Sequence, residues 1–407
     1  MNDAASPVDA VIGSPRYRTA LATLEAEHDR TVADIITLTE IAAPPFQEAA
    51  RGQAYQAMLA AHGLTEVETD AVGNVMGLRR GIGNGPLLLV AAHLDTVFPA
   101  GTDVTVRREG TRLFAPGVGD DTRSLAVLLA YIRAMDAAGI RTRSDILFVG
   151  DVGEEGLGDL RGMRHLFGQG RYRDRIKAFI TVDSPDMDSI ATGGVGSKRY
   201  RVTFRGPGGH SYGAFGLVNP AYAMAAAIVA LGRVEAAATP KTTFCASVVG
   251  GGTSINAIPN EVWVDIDLRS QSAAELARLV AQFEAIVATA VAEENVARDS
   301  RAGAITADIV AVGDRPAGAT DPTSDLVHLA TAAIAAHGFT PRHDFSSTDA
   351  NIAMSLGIPA IKIGSGGSGG RAHSLEEWID VAPAASLRGM AAGLTAILAV
   401  AGFVDED

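Results

Sequence analysis

Seven residues of this sequence carry the chemistry it can do: His93, Asp95, Asp120, Glu154, Glu155, Asp183 and His373. Two imidazoles with several carboxylates make a donor set that suits zinc and also accepts manganese or cobalt. No run of basic residues accompanies them, so the carboxylates are not paired off against Lys or Arg. Gathered without a cation they would repel one another strongly. A dinuclear metal site resolves the repulsion: one carboxylate bridges, each ion takes further ligands, and a hydroxide sits between. Each residue also has a plain reading. Asp120-Asp121 precedes a helix and could cap it, and Glu154-Glu155 before Gly could be a solvated turn. Asp183 could be a turn residue, with Asp186 as rival ligand, and His373 lies in a glycine-rich loop.

These residues must be delivered by particular elements. Leu87 to Ala92 is a continuous apolar run, the pattern of a strand buried on both faces. It ends on His93 and Asp95, which alternation puts on one face, a carboxylate beside an imidazole whose tautomer it could fix. Ser144 to Asp151 is a second such strand and delivers Gly153-Glu154-Glu155-Gly156; Ile176 to Val182 is a third and ends on Asp183. Helical spacing is predicted over Arg16 to Ala42, over Glu48 to His62 with Gly63 as C-cap, and over Arg123 to Ala138. Residues before about Ser14 read as a loose arm, and Val67 to Arg79 as a hairpin turning near Gly73-Asn74. Apolar strands that alternate with helices and end in polar groups indicate a parallel α/β sheet whose C-terminal edge carries the site.

From about Gly196 the pattern changes. Strands over Lys198 to Arg205, Thr242 to Val249, Glu261 to Arg269 and Ala304 to Val312 are interleaved with helices over Pro220 to Leu231 and Ala273 to Glu294. The α/β alternation returns with a helix over Ser324 to His337, a strand over Pro359 to Ile363 and a last helix over Pro383 to Ala401. The expected fold class is therefore α/β: a catalytic domain with a mostly parallel sheet flanked by helices, interrupted by an inserted α+β two-layer sandwich. The expected boundaries are 1–196 and 314–407 for the catalytic domain and 197–313 for the insert.

Composition narrows the class. The 407 residues are 47% apolar and only 5% aromatic, which provides a large core of Ala, Val, Leu and Ile. A formal charge of -13 argues against nucleic acid and anionic membranes as partners. The single cysteine, Cys245, excludes an internal disulfide and a cysteine-based zinc site. No signal peptide is visible at the N-terminus, and the most apolar helical stretch, Ala221 to Leu231, is too short for a bilayer, so a soluble cytoplasmic protein is expected.

Taken in order, His-Leu-Asp at 93–95, Gly-Asp-Asp at 119–121, Glu-Glu-Gly at 154–156, Val-Asp at 182–183, Gly-Gly-His-Ser at 208–211 and the late His373 form a set. This set closely resembles the dinuclear metallohydrolases of the aminoacylase family, which includes tripeptidase T, glutamate carboxypeptidase, carnosinase and succinyl-diaminopimelate desuccinylase. The resemblance runs over nearly the whole chain, the position of the insert included. It implies His93 and Asp183 as ligands of one divalent ion, Glu155 and His373 of the other, Asp120 as the bridge and Asp95 as the partner of His93. It implies Glu154 as the general base that deprotonates the bridging water and later protonates the leaving nitrogen. It implies that the insert is a lid and dimerisation domain, that His210 crosses between subunits of a homodimer to the oxyanion, and that Asn256 and Arg269 hold a substrate carboxylate. The loop Gly364 to Gly370 could offer backbone N–H groups to an anion.

The family usually has Lys-Gly or Lys-Ala after the paired aspartates; here Thr122-Arg123 stands there, a bulky cation beside the expected bridge. Gly366 to Gly370 fits the G-x-S-x-G pattern of serine hydrolases, but no helical pattern follows it. The expected activity is metal-dependent hydrolysis of a C–N bond in a small carboxylate-bearing molecule, an N-acyl amino acid or short peptide. Hydrolytic deamination of an amino-aromatic acid would use the same groups, and a metal-free binding module would require that ligands be lost.

Overall fold

The computed structural model describes residues 6–83 and 86–405. The chain divides into two compact units: one runs to Gly194 and resumes at Ala319, and the other is Val195–Gly318.

The first unit is built on a mixed sheet. Its strands are β1 (Thr65–Thr69), β2 (Val75–Arg79), β3 (Leu87–His93), β4 (Asp145–Asp151), β5 (Ile176–Val182), β6 (Ser189–Gly194), β7 (Arg342–Ser346) and β8 (Ala360–Ile363). The spatial order is β1-β2-β4-β3-β5-β8-β6, with β7 added to β6. The centre, β4-β3-β5-β8, is parallel, and β1 and β2 add antiparallel at one edge. Every residue of β3 and β4 is buried, as their apolar runs require. The first hairpin turns on Asp70, whose carboxylate accepts the N–H groups of Val72, Gly73 and Asn74, with Gly73 in the left-handed region at φ 107°.

Helices cover both faces, and the strands sort their side chains between them by alternation. Leu88, Val90, Ala92, Ile146, Phe148 and Ile180 point into one core. Leu87, Leu89, Ala91, Leu147, Val149 and Phe179 point into the other. The first core is filled by α1 (Pro7–Gly13), α2 (Pro15–Ala26), α3 (His28–Thr39), α4 (Ala49–Ala60), α5 (Arg123–Ala137), a helix over Asp325–Ala336 and the final helix over Pro383–Ala401. That final helix is 19 residues long with mean hydropathy 1.5, so it exceeds the 221–231 stretch in length; 72% of its apolar window is buried in the fold, as in a core helix.

Three local expectations are corrected. The segment before Ser14 is not a loose arm from Pro7 onward: α1 forms there, capped by the Ser6 hydroxyl on Asp9 N–H and with Pro7 at its first turn, and it buries Val8 and Val11. The predicted helix over Arg16 to Ala42 is two helices that part at Glu27. The break lets Tyr17, Ala20 and Leu24 of α2 and Val32, Ile35 and Leu38 of α3 each pack into the core beside α5. Gly63 is not the C-cap of α4, a place taken by Ala61; its N–H goes instead to the Asp136 carboxylate at 3.1 Å.

The second unit is a two-layer α+β sandwich. Its antiparallel sheet runs in the order Thr242–Gly251, Glu261–Ser270, Gly196–Arg205, Thr306–Arg315. The helices Pro220–Leu231 and Ala273–Ala297 bury Val202, Phe204, Val264, Ile266 and Leu268 against Leu279, Phe283 and Val287. Alternating burial along Glu261–Ser270 is the signature of a sheet with one covered face.

Candidate metal centre

Strand ends of the first unit deliver the candidate residues. His93 closes β3 and is 1% exposed. β4 ends at Asp151 and turns through Gly153, at φ 73°, into the buried Glu154 and Glu155. Asp183 follows β5, its N–H bonded at 2.9 Å to the carbonyl of Ile363, the last residue of β8. The loop beyond β8 carries His373, itself at φ 63°. Asp120 comes from the loop that leads into α5.

Asp120 lies between the two imidazoles. Its Oδ1 is 2.9 Å from His93 Nε2 and its Oδ2 is 3.0 Å from His373 Nε2, which is also 3.0 Å from Glu155 Oε1. Three groups of donor atoms each fall within 4.8 Å: His93 with Glu154 and Glu155, His93 with Asp121 and Asp183, and Asp120 with Glu155 and His373. The structure thus brings together His93, Asp120, Glu154, Glu155, Asp183 and His373, and adds Asp121, which sequence reasoning weighed only as a helix cap. Asp186, the rival to Asp183, is exposed and faces Asp188 N–H and Arg342.

The electrostatics fit divalent cations. His93 Nδ1 lies 3.0 Å from the Asp95 carbonyl, so Nδ1–H donates there and Nε2 is the nitrogen turned to the cluster, the one a metal ion would take in place of a proton. Burial would lower the His93 pKa, but the Asp120 hydrogen bond and the charges of Asp121, Asp120 and Glu154 hold it well above its ordinary value. Hydrogen bonds to Asp120 and Glu155 raise His373 to about 10. Burial opposes ionisation of Asp120, yet the two histidines pull it well below the usual carboxylate range. Asp121 and Asp183 are pushed up, chiefly by burial. Protons on the imidazoles therefore balance the carboxylates, a balance that divalent cations would equally supply.

Asp95 differs from its expected part. Its backbone carbonyl, not its carboxylate, meets His93 Nδ1, since the carboxylate is 3.8 Å away. The carboxylate instead accepts the N–H groups of Glu154 at 3.0 Å and Glu155 at 2.8 Å. Sequence reasoning missed Glu377, which is 1% exposed and accepts the N–H groups of Gly117, Gly119 and Asp120 at 2.9, 2.8 and 2.9 Å. Burial raises its carboxyl to about 7 against those bonds. It also missed Asp349, whose carboxyl meets that of Asp151 beneath the site. Both are buried, and among the described residues their oxygens have no hydrogen-bond partner beyond each other. Nothing local marks Glu377 or Asp349, because each is brought in by a distant segment.

Arg123 is buried, and its Nη2 donates to Ser386 Oγ at 2.8 Å. Thr122 Oγ1 is 2.6 Å from Thr39 Oγ1. Ser368 lies on a short strand, Ser368–Gly370, that runs into a turn and not directly into a helix, so the serine-hydrolase pattern lacks its elbow. In the second unit, His210 is exposed, and its Nδ1 accepts the N–H groups of Tyr212 and Gly213 at 3.2 and 3.3 Å, which leaves the ring proton on Nε2. Asn256 is exposed, with Ser254 on its side-chain oxygen, and Arg269 pairs with Asp267 at 2.6 Å. Beside the cluster, a cavity of about 490 Å³ is lined by Asp120, Ser184, Pro185, Gly367, Arg371 and Trp378 among others.

A sequence profile described as peptidase family M20/M25/M40 matches residues 89–399. The chain is 29% identical over 247 residues to a succinyl-diaminopimelate desuccinylase of Leptothrix cholodnii, a stretch that is 56% of this chain and 63% of that protein, so the match spans a little under two thirds of the relative. Among solved structures it is similar to aminopeptidase PepT from Bacillus cereus, with TM-score 0.73 at 21% identity over 92% of this chain and 98% of that one. It is also similar to the Bacillus subtilis YXEP protein, described as a dinuclear metal-binding peptidase, with TM-score 0.66 at 17% identity over 91% and 98%.

Proposed function

This chain belongs to the peptidase family M20/M25/M40, and from that footing we propose that it hydrolyses a C–N bond in a small carboxylate-bearing substrate, an N-acyl amino acid or short peptide. The observation that carries the reading is the Asp120 carboxylate held between His93 and His373 at 2.9 and 3.0 Å. His93 with Asp183, and Glu155 with His373, would each hold one divalent ion, and Asp120 would be shared. When bound, such ions lower the pKa of a water between them and polarise the scissile carbonyl.

Glu154 is the general base. It lies within the same donor group as His93 and Glu155, adjacent in sequence to a proposed ligand. Its carboxylate takes the proton of the attacking water and returns it to the leaving nitrogen. Asp95 fixes the turn that carries Glu154 and Glu155. Asn256 and Arg269 hold a substrate carboxylate, and His210, with its proton on Nε2, donates to the oxyanion across a homodimer formed through the second unit. Zinc is the metal best suited to the donor set, with manganese or cobalt as substitutes.

Elemental analysis of protein purified without added metal or chelator tests the reading. It is paired with activity on N-acyl amino acids, dipeptides and amino-aromatic acids before and after chelation. About two ions per chain with chelator-sensitive amide cleavage is expected from the site's chemistry. Metal with activity only on an amino-aromatic acid would replace the substrate class, and no metal after reconstitution would overturn the reading.

A further inference from the structure

Ser184 is held from three directions on the wall of the cavity beside Asp120. Its backbone is left-handed, at φ 63°, a conformation that costs a serine free energy. Its carbonyl accepts both the N–H and the hydroxyl of Ser365, at 2.8 and 2.9 Å. Its hydroxyl oxygen is 3.0 Å from the Nζ of Lys362 on β8. Lys362 is 7% exposed, and Ser184 is its hydrogen-bond partner.

The direction of that bond is fixed by chemistry. An ammonium has donors and no acceptor, so Ser184 Oγ accepts and its own hydrogen must point elsewhere. Among the described residues no acceptor meets that hydrogen, and Ser184 is one of the residues that line the cavity. A buried ammonium is costly and polarises the hydroxyl it donates to. The carboxylates of the lining are already engaged: Asp120 by the histidines, Glu377 by three backbone N–H groups, Asp186 by Asp188 N–H and Arg342. Two further cations flank the space. Arg371 lines it, and the buried Arg123 has Nη2 at 3.0 Å from where a Cβ on Gly367 would stand.

We propose that the Ser184 hydroxyl, positioned by Lys362, donates to an oxyanion of the substrate, a second carboxylate distinct from the one assigned to Asn256 and Arg269. The substrate class is then a dicarboxylate. This rests on the hydrolase reading above.

The test is calorimetric titration of succinate, and of uncharged succinamide as control, into metal-reconstituted wild type, Ser184→Gly, Lys362→Met, Lys362→Arg and the Ser184→Gly/Lys362→Met double variant. Glycine is chosen because it accepts the left-handed backbone without strain. Metal content and melting temperature are recorded for each. Succinate affinity should fall roughly tenfold in Ser184→Gly and in Lys362→Met, as expected for a lost hydrogen bond to a charged group. The double variant should lose no more than either single one, and Lys362→Arg should stay close to wild type. Succinamide binding and metal content should not change. Wild-type affinity for succinate in Ser184→Gly, additive losses in the double variant, or no succinate binding by wild type would each overturn the proposal. Failure of wild type to take up metal would instead overturn the hydrolase reading, and the same titrations on the metal-free proteins would still decide the role of Ser184.

Discussion

The carboxylate of Asp95 accepts the backbone N–H of Glu155 at 2.8 Å, and its other oxygen accepts that of Glu154. One side chain thereby fixes the orientation of both glutamates. Substitution at Asp95 should act on the Glu154-Glu155 turn and leave the His93 tautomer intact, because the His93 contact is to the main chain. Asp95→Ala should lower turnover about 10–100-fold, the usual effect of removing a group that orients ligands. Asp95→Asn should do no better, since its amide presents N–H toward N–H. Metal affinity and turnover, measured together, check this; unchanged kinetics in Asp95→Ala would dismiss the positioning role.

Glu154→Gln keeps the volume and removes only the basic oxygen. Metal content should stay at the wild-type value while turnover falls about 10²–10⁴-fold, the range expected for loss of a general base. Retained activity would reassign the base.

His210→Ala should lower turnover more than substrate binding, since the Nε2–H would be used in the transition state. Mixing this variant with Glu154→Gln should restore part of the activity if the histidine acts across subunits. Verified mixed dimers without recovery would confine His210 to its own turn.

Stability should depend on pH through Asp151 and Asp349. Burial raises Asp151 to about 7 and Asp349 well above its ordinary value. An acid whose folded pKa is raised holds its proton more tightly in the fold, so its contribution is complete at low pH. It is lost as pH rises, from about 4, the unfolded carboxyl value, to the folded value of about 7 for Asp151. Metal-free protein should therefore lose stability across that window at about 1.4 kcal/mol per pH unit for each proton. Asp349→Asn should flatten the profile and melt higher than wild type above neutrality. A melting profile in which the variant follows wild type would exclude the pair as the cause.

The residues legible in the sequence were those at the ends of apolar runs. His93, Glu154, Glu155 and Asp183 each close or follow a strand whose seven residues are set by alternation and burial, and the turn after such a strand has one place to go. His373 and Asp120 were legible from their motifs. Glu377 and Lys362 were not, because one reads as part of an exposed acidic pair and the other as a polar residue in a short strand. Only the tertiary fold brings Glu377 under the Asp120 loop and Lys362 behind Ser184. The part of Asp95 was misread for a related reason: sequence shows which residues are neighbours along a strand, not which N–H groups a later turn will present. The helix over Pro7–Gly13 was written in Ser6 and Pro7, but so short a helix forms only because Val8 and Val11 find a core to enter.

The strand order β5-β8-β6 has a consequence for biosynthesis. Synthesis proceeds from the N-terminus, and β8 (Ala360–Ile363) is inserted between two strands made long before it, ending at Val182 and Gly194. Until the ribosome has passed β8, the inner edges of β5 and β6 have no partner, and the core beside β3 lacks the helix over Pro383–Ala401 that completes it. The nascent chain must therefore carry an open, apolar sheet edge from the completion of β5 at Val182 until Ala360 is made. That is the state in which strands pair with the wrong chain, and a chain stopped before Ala360 would be left in it.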